Sequence, residues 1–333
     1  MENVVEYIWI GGHGEIRSKT RVIYKPFFTY HDIPEWNYDG SSTGQADSNK
    51  NTEVILKPCR LFKNPLLSKR NSFLVLCDTY DTDFNPLPTN HRHNAMKIFD
   101  SNIILEPWFG LEQEYFMVCD KNKQHTDLTS PFNDHYCGTQ TSNIERIIVE
   151  KHLLACLEIG IQISGLNAEV SPRQWEFQIG PCVGIDAGDH MIIARYLLDR
   201  IAEKCNVFIS YYPKLVEDLN GSGCHTNFST SVTRSENGIE EIYKYIEKLN
   251  NKHLQHIEVY GDGNHYRLTG LHETSRMDTF TYGIGTRNTS VRIPNQVIKD
   301  GCGYFEDRRP AANIDPYQVT SIMFKTCCLD DNS

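Results

Sequence analysis

The chain opens on an apolar run, Tyr7–Ile10, that stops at the paired glycines Gly11 and Gly12. Similar runs follow, broken by Asp39-Gly40-Ser41-Ser42 and by Asn49–Asn51. Short apolar runs bounded by Gly, Asn, Asp and Ser read as strands joined by turns. Ser72–Cys77 is another strand, and Pro86 and Pro88 after it mark a linker. Beyond them the apolar period lengthens to that of a helix. Thr89 is placed to cap a helix running to Phe99. Asn143–Ile159 carries Ile144, Ile147, Ile148, Leu154 and Ala155 on one side, with Ser142 or Asn143 as cap and Gly160 as stop. Asp189–Lys204 repeats the pattern through Ile193, Ala194, Leu197 and Ile201, and Ile239–Asn250 through Ile242, Ile246 and Leu249. A small β-rich domain followed by a larger α+β domain is expected.

Two strand-like segments carry charge among bulky apolar residues. In Phe109–Val118, Glu112 and Glu114 are two apart and share a face of the strand. In Asn167–Pro181, Glu169 and Glu176 flank a turn signal. With Ser171–Gln174 as that turn and Pro172 at its second position, Glu169 falls opposite Glu176. Like charges facing across a hairpin destabilise it by roughly 0.2–1 kcal/mol. A hard divalent cation compensates, since Mg²⁺ and Mn²⁺ prefer carboxylate oxygens. An isolated Glu-x-Glu is ordinarily a solvated strand face. Two such aromatic-rich strands in one chain point instead to a metal, leaving a metallohydrolase or a two-carboxylate glycosidase open.

After residue 265 the character changes. Arg267, Arg287, Arg292, Arg308 and Arg309 sit among small residues, with Glu306 beside the last two. Planar guanidinium forks suit phosphate and carboxylate, and phosphoryl transfer needs both cations and positioning. For any one of these arginines the ordinary role is a surface salt bridge, for example with Asp307. Asn220-Gly-Ser-Gly-Cys-His225 brings one of the thirteen histidines out of a flexible turn where backbone can approach a ligand. No Walker A pattern is present, and Gly11–Gly14 is not a phosphate loop.

With 333 residues the chain has room for two domains, and 39% hydrophobic against 23% charged residues is an ordinary globular balance. The net charge of -10 argues against a nucleic-acid or anionic-membrane partner. Eleven cysteines without a CxxC pair or a zinc spacing read as reduced thiols of a cytoplasmic protein. No apolar run approaches a membrane span, and Glu2 and Glu6 after Met1 do not fit a signal peptide.

Taken together the motifs resemble the eukaryotic-type (type II) glutamine synthetases over essentially the full length. The segments that carry the resemblance include Trp36–Gly44, Pro107–Tyr115, Asn167–Val170, Trp175–Pro181, Gly188–His190, Asn220–Ser229, Arg267–Gly270 with His272–Thr274, Val291–Pro294 and Gly303–Pro310. The resemblance implies an α+β fold, with an amino-terminal β-grasp domain (1–86) and a catalytic domain (87–333) built on a curved antiparallel sheet flanked by helices. It implies a homo-oligomeric ring, a decamer of two stacked pentamers, with sites between neighbouring subunits.

At the residue level the resemblance implies that Glu114, Glu169 and Glu176 hold one Mg²⁺ or Mn²⁺, and Glu112, His225 and Glu306 another. ATP would meet Glu112, Glu176, Phe177, Gln178, Ile179, Gly180 and Pro181. It would also meet Asn227, Phe228, Ser229, Arg287, Arg292, Tyr304, Phe305 and Glu306. Glutamate would be gripped by Asn220, Gly221, His225, Arg267, Arg287 and Arg308. Its side-chain carboxylate would attack the γ-phosphate beside Arg287 and Arg308, giving γ-glutamyl phosphate. Asp39 of a neighbouring subunit, with Ser42, Tyr136 and Glu169, would bind ammonium and take its proton. Glu273 on a mobile flap would shield the acyl phosphate. By turn chemistry alone Asp39 is a turn residue beside Gly40.

The chain departs from the family pattern in places. The Pro/Gly-rich stretch is shortened to Asp120–Asp134, leaving His135-Tyr136-Cys137-Gly138. The segment Glu217–Gly221 has Leu219 where the family usually has tryptophan, a commonly basic position is Tyr266, and Ser171 and Arg173 stand in the metal-hairpin turn. The extension ahead of the first strand is nearly absent, which touches ring stacking. Two alternatives are a ligase joining glutamate to a larger amine, against which the Asp39–Ser42 ammonium pocket argues, and a silent structural ring protein.

Overall fold

A computed structural model describes residues 2–67, 70–118, 135–139 and 143–329. They fall in two compact units, one within 1–94 together with 155–160, the other within 95–154 and 161–333. Cys119, Ser142 and the shortened stretch Asp120–Asp134 lie outside the described residues.

The first unit holds a mixed five-stranded sheet of β1 (Asn3–Ile10), β2 (Ile16–Ile23), β3 (Trp36–Asp39), β4 (Glu53–Lys63) and β5 (Ser72–Tyr80). The order is β2-β1-β5-β4-β3, with β1 parallel to β5 and the other neighbours antiparallel. Interior strands covered on both faces must be apolar nearly throughout, and β1 and β5 are. Edge strand β2 stays half-exposed and carries Arg17, Lys19 and Arg21, which discourage pairing with another chain. Val5, Tyr7 and Trp9 meet Ile33, Leu56, Val75 and Cys77 in the core of this unit.

Two expectations are corrected after β5. Pro86 bridges to Tyr80 and the Leu87 N–H bonds Thr79 O (3.1 Å), so the stretch pairs back along β5 and is not a free linker. Helix α1 (His91–Asp100) is capped by Asn90, whose Oδ1 accepts from the His93 N–H (3.2 Å). Thr89 is engaged elsewhere, its hydroxyl accepting from Gln45 Nε2 (2.9 Å).

The second unit is built on strands β6 (Trp108–Val118), β7 (Ile163–Ala168), β8 (Gln174–Val183), β9 (Phe208–Ser210), β10 (Cys224–Ser229), β11 (Tyr282–Ile284), β12 (Val291–Ile293) and β13 (Phe305–Asp307). The order is β11-β12-β13-β10-β6-β8-β7, with β9 beside β6. All pairings are antiparallel except β11 with β12 at one edge. The helices are α2 (Asn143–Glu158), α3 (Ile185–Glu203), α4 (Ile239–Asn251), α5 (His253–Val259), α6 (Asn295–Asp300) and α7 (Pro316–Phe324). The amphipathic α4 buries Ile242, Tyr245, Ile246 and Leu249 on one side. In contrast α3 is buried on almost every side. It begins four residues ahead of the expected Asp189, because Asp186 and Gly188 look like breakers. Gly188 is instead a packing residue: a Cβ there would stand 2.4 Å from the Tyr317 ring.

Alternation along β6 sorts its side chains. Gln113 faces the helices, where Arg195 of α3 donates to its Oε1 (2.8 Å from Nε) and to the carbonyls of Ile314 (2.9 Å) and Ala312 (3.0 Å). Glu112 and Glu114 face the other way. The β7–β8 register differs from the expected one by two residues. Asn167 pairs with Glu176 and Ala168 with Trp175, while the Glu169 N–H bonds Gln174 O (2.8 Å). Glu169 therefore lies opposite Gln174, and Glu176 has Asn167 of β7 on one side and Glu114 of β6 on the other. The expected turn Ser171–Gln174 forms, the Gln174 N–H bonding Ser171 O (3.0 Å) with Arg173 left-handed at φ +63°, but Gln174 also pairs with Glu169, so residues 170–173 make a four-residue loop. A slip of two residues preserves the face on which each side chain lies, so Glu169 and Glu176 still point the same way.

A left-handed arginine costs about 1–2 kcal/mol, more than the roughly 0.5–1 kcal/mol of chain entropy that glycine would add. Arg173→Gly is therefore expected to raise the melting temperature by about 2 °C. Calorimetry checks this, and a lower melting temperature would contradict the strained turn.

Candidate active site

The cross-strand register lines up polar side chains across one face of the large sheet. Arg292 pairs with Glu306, Glu306 with Asn227, His225 with Glu112, Glu112 with Gln178, Glu114 with Glu176 and Glu176 with Asn167. Two groups of potential ligands result, Glu112 with His225 and Glu306, and Glu114 with Glu169 and Glu176. Within each group the ligand atoms all lie within 4.8 Å of one another. The sets are those expected from the sequence, although the facing across the metal hairpin differs.

The first group is charge-balanced. Glu306 is fully buried and meets Arg308 Nη1 at 2.7 Å and Arg292 Nε at 2.5 Å. His225 Nδ1 lies 3.3 Å from Glu112 Oε2 and 3.5 Å from Glu306 Oε1. Its Nε2 is 2.9 Å from Arg267 Nη2, which can only donate, so Nε2 accepts and Nδ1 carries the proton of the neutral ring. Burial, then Arg308, pushes the imidazole well below its ordinary value. Asn227 Nδ2 orients Glu112 (2.8 Å).

The second group is not balanced. Among the described residues no ion pair reaches Glu114, Glu169 or Glu176. Glu114 accepts from the Gly223 N–H (2.7 Å), Glu169 from Asn167 Nδ2 (2.9 Å), and Glu176 from Gln178 Nε2. Burial, reinforced by Glu169, pushes Glu114 up to about 8. Burial, then Glu112, Glu114 and Glu169, pushes Glu176 up to about 9, and burial also raises Glu169. Tyr136 lies close enough to Glu169 for that carboxylate to help burial raise its phenol, an effect the nearby Arg287 opposes.

Two cavities adjoin the clusters. A larger one of about 420 Å³ is lined by Glu112, Gln178, Ile179, Gly180, Pro181, Asn227, Phe228, Ser229 and Tyr304 of the expected nucleotide residues. The register slips by one residue on both flanks of Gly180, which has φ +116° and lies so close to Phe109 O that a Cβ would stand 2.4 Å away. That irregularity lets the consecutive Gln178 and Ile179 both reach the cavity. Phe177 and Phe305 are fully buried; their rings pack on His152 and on Phe228, so only their backbone is available to a nucleotide. Trp108, Ser164, Arg234 and Gly303 also line the cavity and were not singled out from the sequence. The Arg234 guanidinium lies 3.9 Å over the Trp108 ring. Their separation in the chain left no local signal; an arginine just past β10 was the only hint.

The smaller cavity, about 30 Å³, is lined by Glu114, Glu169, Asn220, Gly221, His225, Arg267, Glu273 and Arg308, together with Gln174, His272 and Thr274. Over it lies a loop whose tip residues, His272 and Glu273, are both left-handed (φ +51° and +63°). Arg287 Nη1 is 3.2 Å from each Glu273 carboxylate oxygen, and Arg308 Nη2 donates to Glu273 O (3.4 Å). Asp39 and Ser42 belong to the first unit. There Asp39 caps the turn Gly40–Thr43, accepting from the hydroxyls of Ser41 (2.8 Å) and Ser42 (2.9 Å), and these bonds lower its pKa.

Carboxylate clusters, arginines and a cavity share one face of a largely antiparallel sheet, the arrangement of an enzyme that handles anionic substrates. Residues 90–257 match the family described as glutamine synthetase, catalytic domain. The chain is 52% identical to a putative glutamine synthetase of Acanthamoeba polyphaga mimivirus, covering 99% of this chain and 95% of that one. It is 48% identical to the glutamine synthetase of Emericella nidulans (98% and 92% covered) and to glutamine synthetase cytosolic isozyme 2 of Vitis vinifera (98% and 94%). The fold is similar to that of a Plasmodium falciparum glutamine synthetase solved by cryo-EM, with TM-score 0.80 and 16% identity over 97% of this chain and 71% of that one. The chain belongs to the glutamine synthetase family.

The raised carboxylates set a pH dependence. An acid that holds its proton more tightly when folded makes the native state bind more protons than the unfolded chain, so stability falls as pH rises. The window runs from the ordinary carboxylate range up to about 8 for Glu114 and about 9 for Glu176. In chelator, the melting temperature is expected to drop between pH 6 and pH 8.5 and to drop less in Glu176→Gln. Equal slopes in calorimetry would contradict the buried charge.

Proposed function

We propose that the chain forms L-glutamine from L-glutamate and ammonia, with cleavage of ATP to ADP and phosphate, through γ-glutamyl phosphate. The observation that carries this reading is the pair of three-ligand clusters on one sheet face, beside a deep cavity and four arginines. Family membership at 48–52% identity over nearly the whole chain supports the same reaction.

The donor sets fit Mg²⁺ or Mn²⁺. Five carboxylates and one neutral imidazole form a hard, oxygen-rich environment, and the tight proton hold of Glu114, Glu169 and Glu176 marks charge that a divalent cation neutralises. Glu114, Glu169 and Glu176 would hold one ion, and Glu112, His225 and Glu306 another. Bound there, the ions neutralise phosphoryl oxygens and help align the attacking carboxylate.

The larger cavity takes the nucleotide, with Gln178–Pro181, Asn227–Ser229 and Tyr304 around it and Glu112 at the end nearest the clusters. Glutamate occupies the smaller site between Asn220, Gly221, Arg267 and Arg308, which requires the loop bearing Glu273 to move outward first. Arg287 and Arg308 stabilise charge on the transferring phosphoryl group. A side-chain oxygen of glutamate bonds to the γ-phosphorus as its bond to the bridging oxygen of ADP breaks. Ammonium binds at Asp39 and Ser42 of a neighbouring subunit, beside Tyr136 and Glu169. Asp39 takes one proton, nitrogen attacks the acyl carbon, phosphate leaves, and Glu273 takes a second proton. Until then the closed loop keeps water from the acyl phosphate.

Asp39 serving an adjacent copy calls for a homo-oligomer, which we read as the ring of two stacked pentamers that the resemblance implies. A β-grasp arrangement of the first unit and a cytoplasmic location complete it. The cysteines among the described residues are free thiols, and no helix of theirs is long and apolar enough to cross a membrane.

Phosphate release from ATP with each co-substrate omitted in turn tests the reaction. Full turnover is expected only with a divalent cation, glutamate and ammonium together; product with larger amines alone, or no phosphate at all, overturns it. Asp39→Ala is expected to lose ammonia-dependent turnover by about 100-fold or more while leaving ATP binding within about threefold. Equal loss of both would remove Asp39 from the ammonium site.

A further inference from the structure

Strand β13 and the residues after it divide their side chains between two faces. Glu306 and Arg308 meet the site, whereas Asp307 and Arg309 turn away and are fully buried. Arg309 grips Asp307 through Nε (2.9 Å) and Nη2 (2.6 Å), and its guanidinium lies 5.1 Å from the Tyr260 ring centre and 5.0 Å from that of Phe280. Its remaining nitrogen, Nη1, lies 2.9 Å from Nδ1 of His253, the first residue of α5. The other ring nitrogen, Nε2, lies 2.8 Å from the carbonyl oxygen of Met277.

Met277 closes the base of the loop that carries Glu273. Its N–H bonds Leu268 O (3.0 Å), Thr269 bridges to Arg276, and the Gly270 N–H bonds Ser275 O (3.2 Å). The two partners of His253 leave one protonation state. A guanidinium only donates and a carbonyl only accepts, so Nδ1 must be bare and Nε2 must carry the proton. An imidazolium there would set one N–H against another, and the other neutral tautomer would fail on both sides.

We propose that His253 is a positioning residue that ties the base of the Glu273 loop to the strand presenting Glu306 and Arg308. Closing the loop and placing those two side chains are then one event. Neither Met277 nor Arg309 lines the two cavities, and the imidazole bonds to both, joining the loop base to β13 behind the Arg308–Glu273 contact at its tip. The inference rests on the reading of the Glu273 loop as the shield of the acyl phosphate. A loosened loop admits water, which cleaves γ-glutamyl phosphate to glutamate and phosphate, so ATP is consumed without glutamine.

The test compares His253→Asn with His253→Gln in the assembled protein with Mg²⁺. Asparagine keeps an acceptor near Arg309 but cannot reach Met277; glutamine sets an acceptor and a donor about as far apart as the two ring nitrogens. His253→Asn is expected to raise phosphate released per glutamine formed by about threefold or more, with the KM for ATP within about twofold of wild type, and His253→Gln to restore coupling. Unchanged coupling in His253→Asn, or equal uncoupling in both variants, overturns the proposal. If the wild type forms no glutamine, the functional reading fails instead. Should His253→Asn not fold, wild-type hydrogen exchange decides: the amides of Met277 and Arg309 are expected to open at rates within about twofold, and widely different rates overturn the link.

Discussion

Like charge on a single sheet face is the constraint around which the second unit is organised. Five carboxylates from β6, β8, the β7–β8 turn and β13 converge there, and two of them, Glu114 and Glu176, stand directly opposite each other. Strands do not tolerate that arrangement without compensation. The arginines answer it on one side only: Arg292 and Arg308 neutralise Glu306, while burial among like charges pushes Glu114 and Glu176 above the ordinary carboxylate range. Ionising Glu114 and Glu176 together therefore requires positive charge that the arginines of the described residues do not supply there.

Such a face needs a rigid back. Arg195 spans from α3 to Gln113 and two carbonyls beyond it, so the strand carrying Glu112 and Glu114 is fastened from behind by a buried fork. The buried Asp307–Arg309 pair, with Tyr260 and His253, does the same for the strand carrying Glu306. Buried charge is a costly way to add stability, but a guanidinium with all its donors directed holds one geometry and no other. The loop over the small cavity is held differently, its tip combining two left-handed residues with an ion pair to Arg287.

Much of this is legible from residue order. The two-residue spacing of Glu112 and Glu114 places them on one face, and the helical periods locate α2 and α4 to within a residue or two. What is missed depends on contacts between distant segments. The start of α3 is hidden because Gly188 is chosen for the Tyr317 ring, not for a turn. Asn90 takes the capping role assigned to Thr89 because Gln45 claims the threonine. Trp108 and Arg234 join the larger cavity only through the β6–β10 pairing, and the irregularity at Gly180 changes which side chains face it. The Glu169 register is wrong by two although the Ser171–Gln174 turn forms, because Gln174 pairs with Glu169 and the ladder does not run straight into the turn.

The wide β7–β8 loop carries a consequence for how this chain can vary over time. Because side chains alternate along a strand, a single insertion or deletion inside the paired stretch, between Gln174 and Glu176, would set the two glutamates on opposite faces and dismantle their cluster. The same change within residues 170–173 leaves the pairing on either side intact and only lengthens or shortens the loop. Length variation here should therefore gather in the loop and spare the strands.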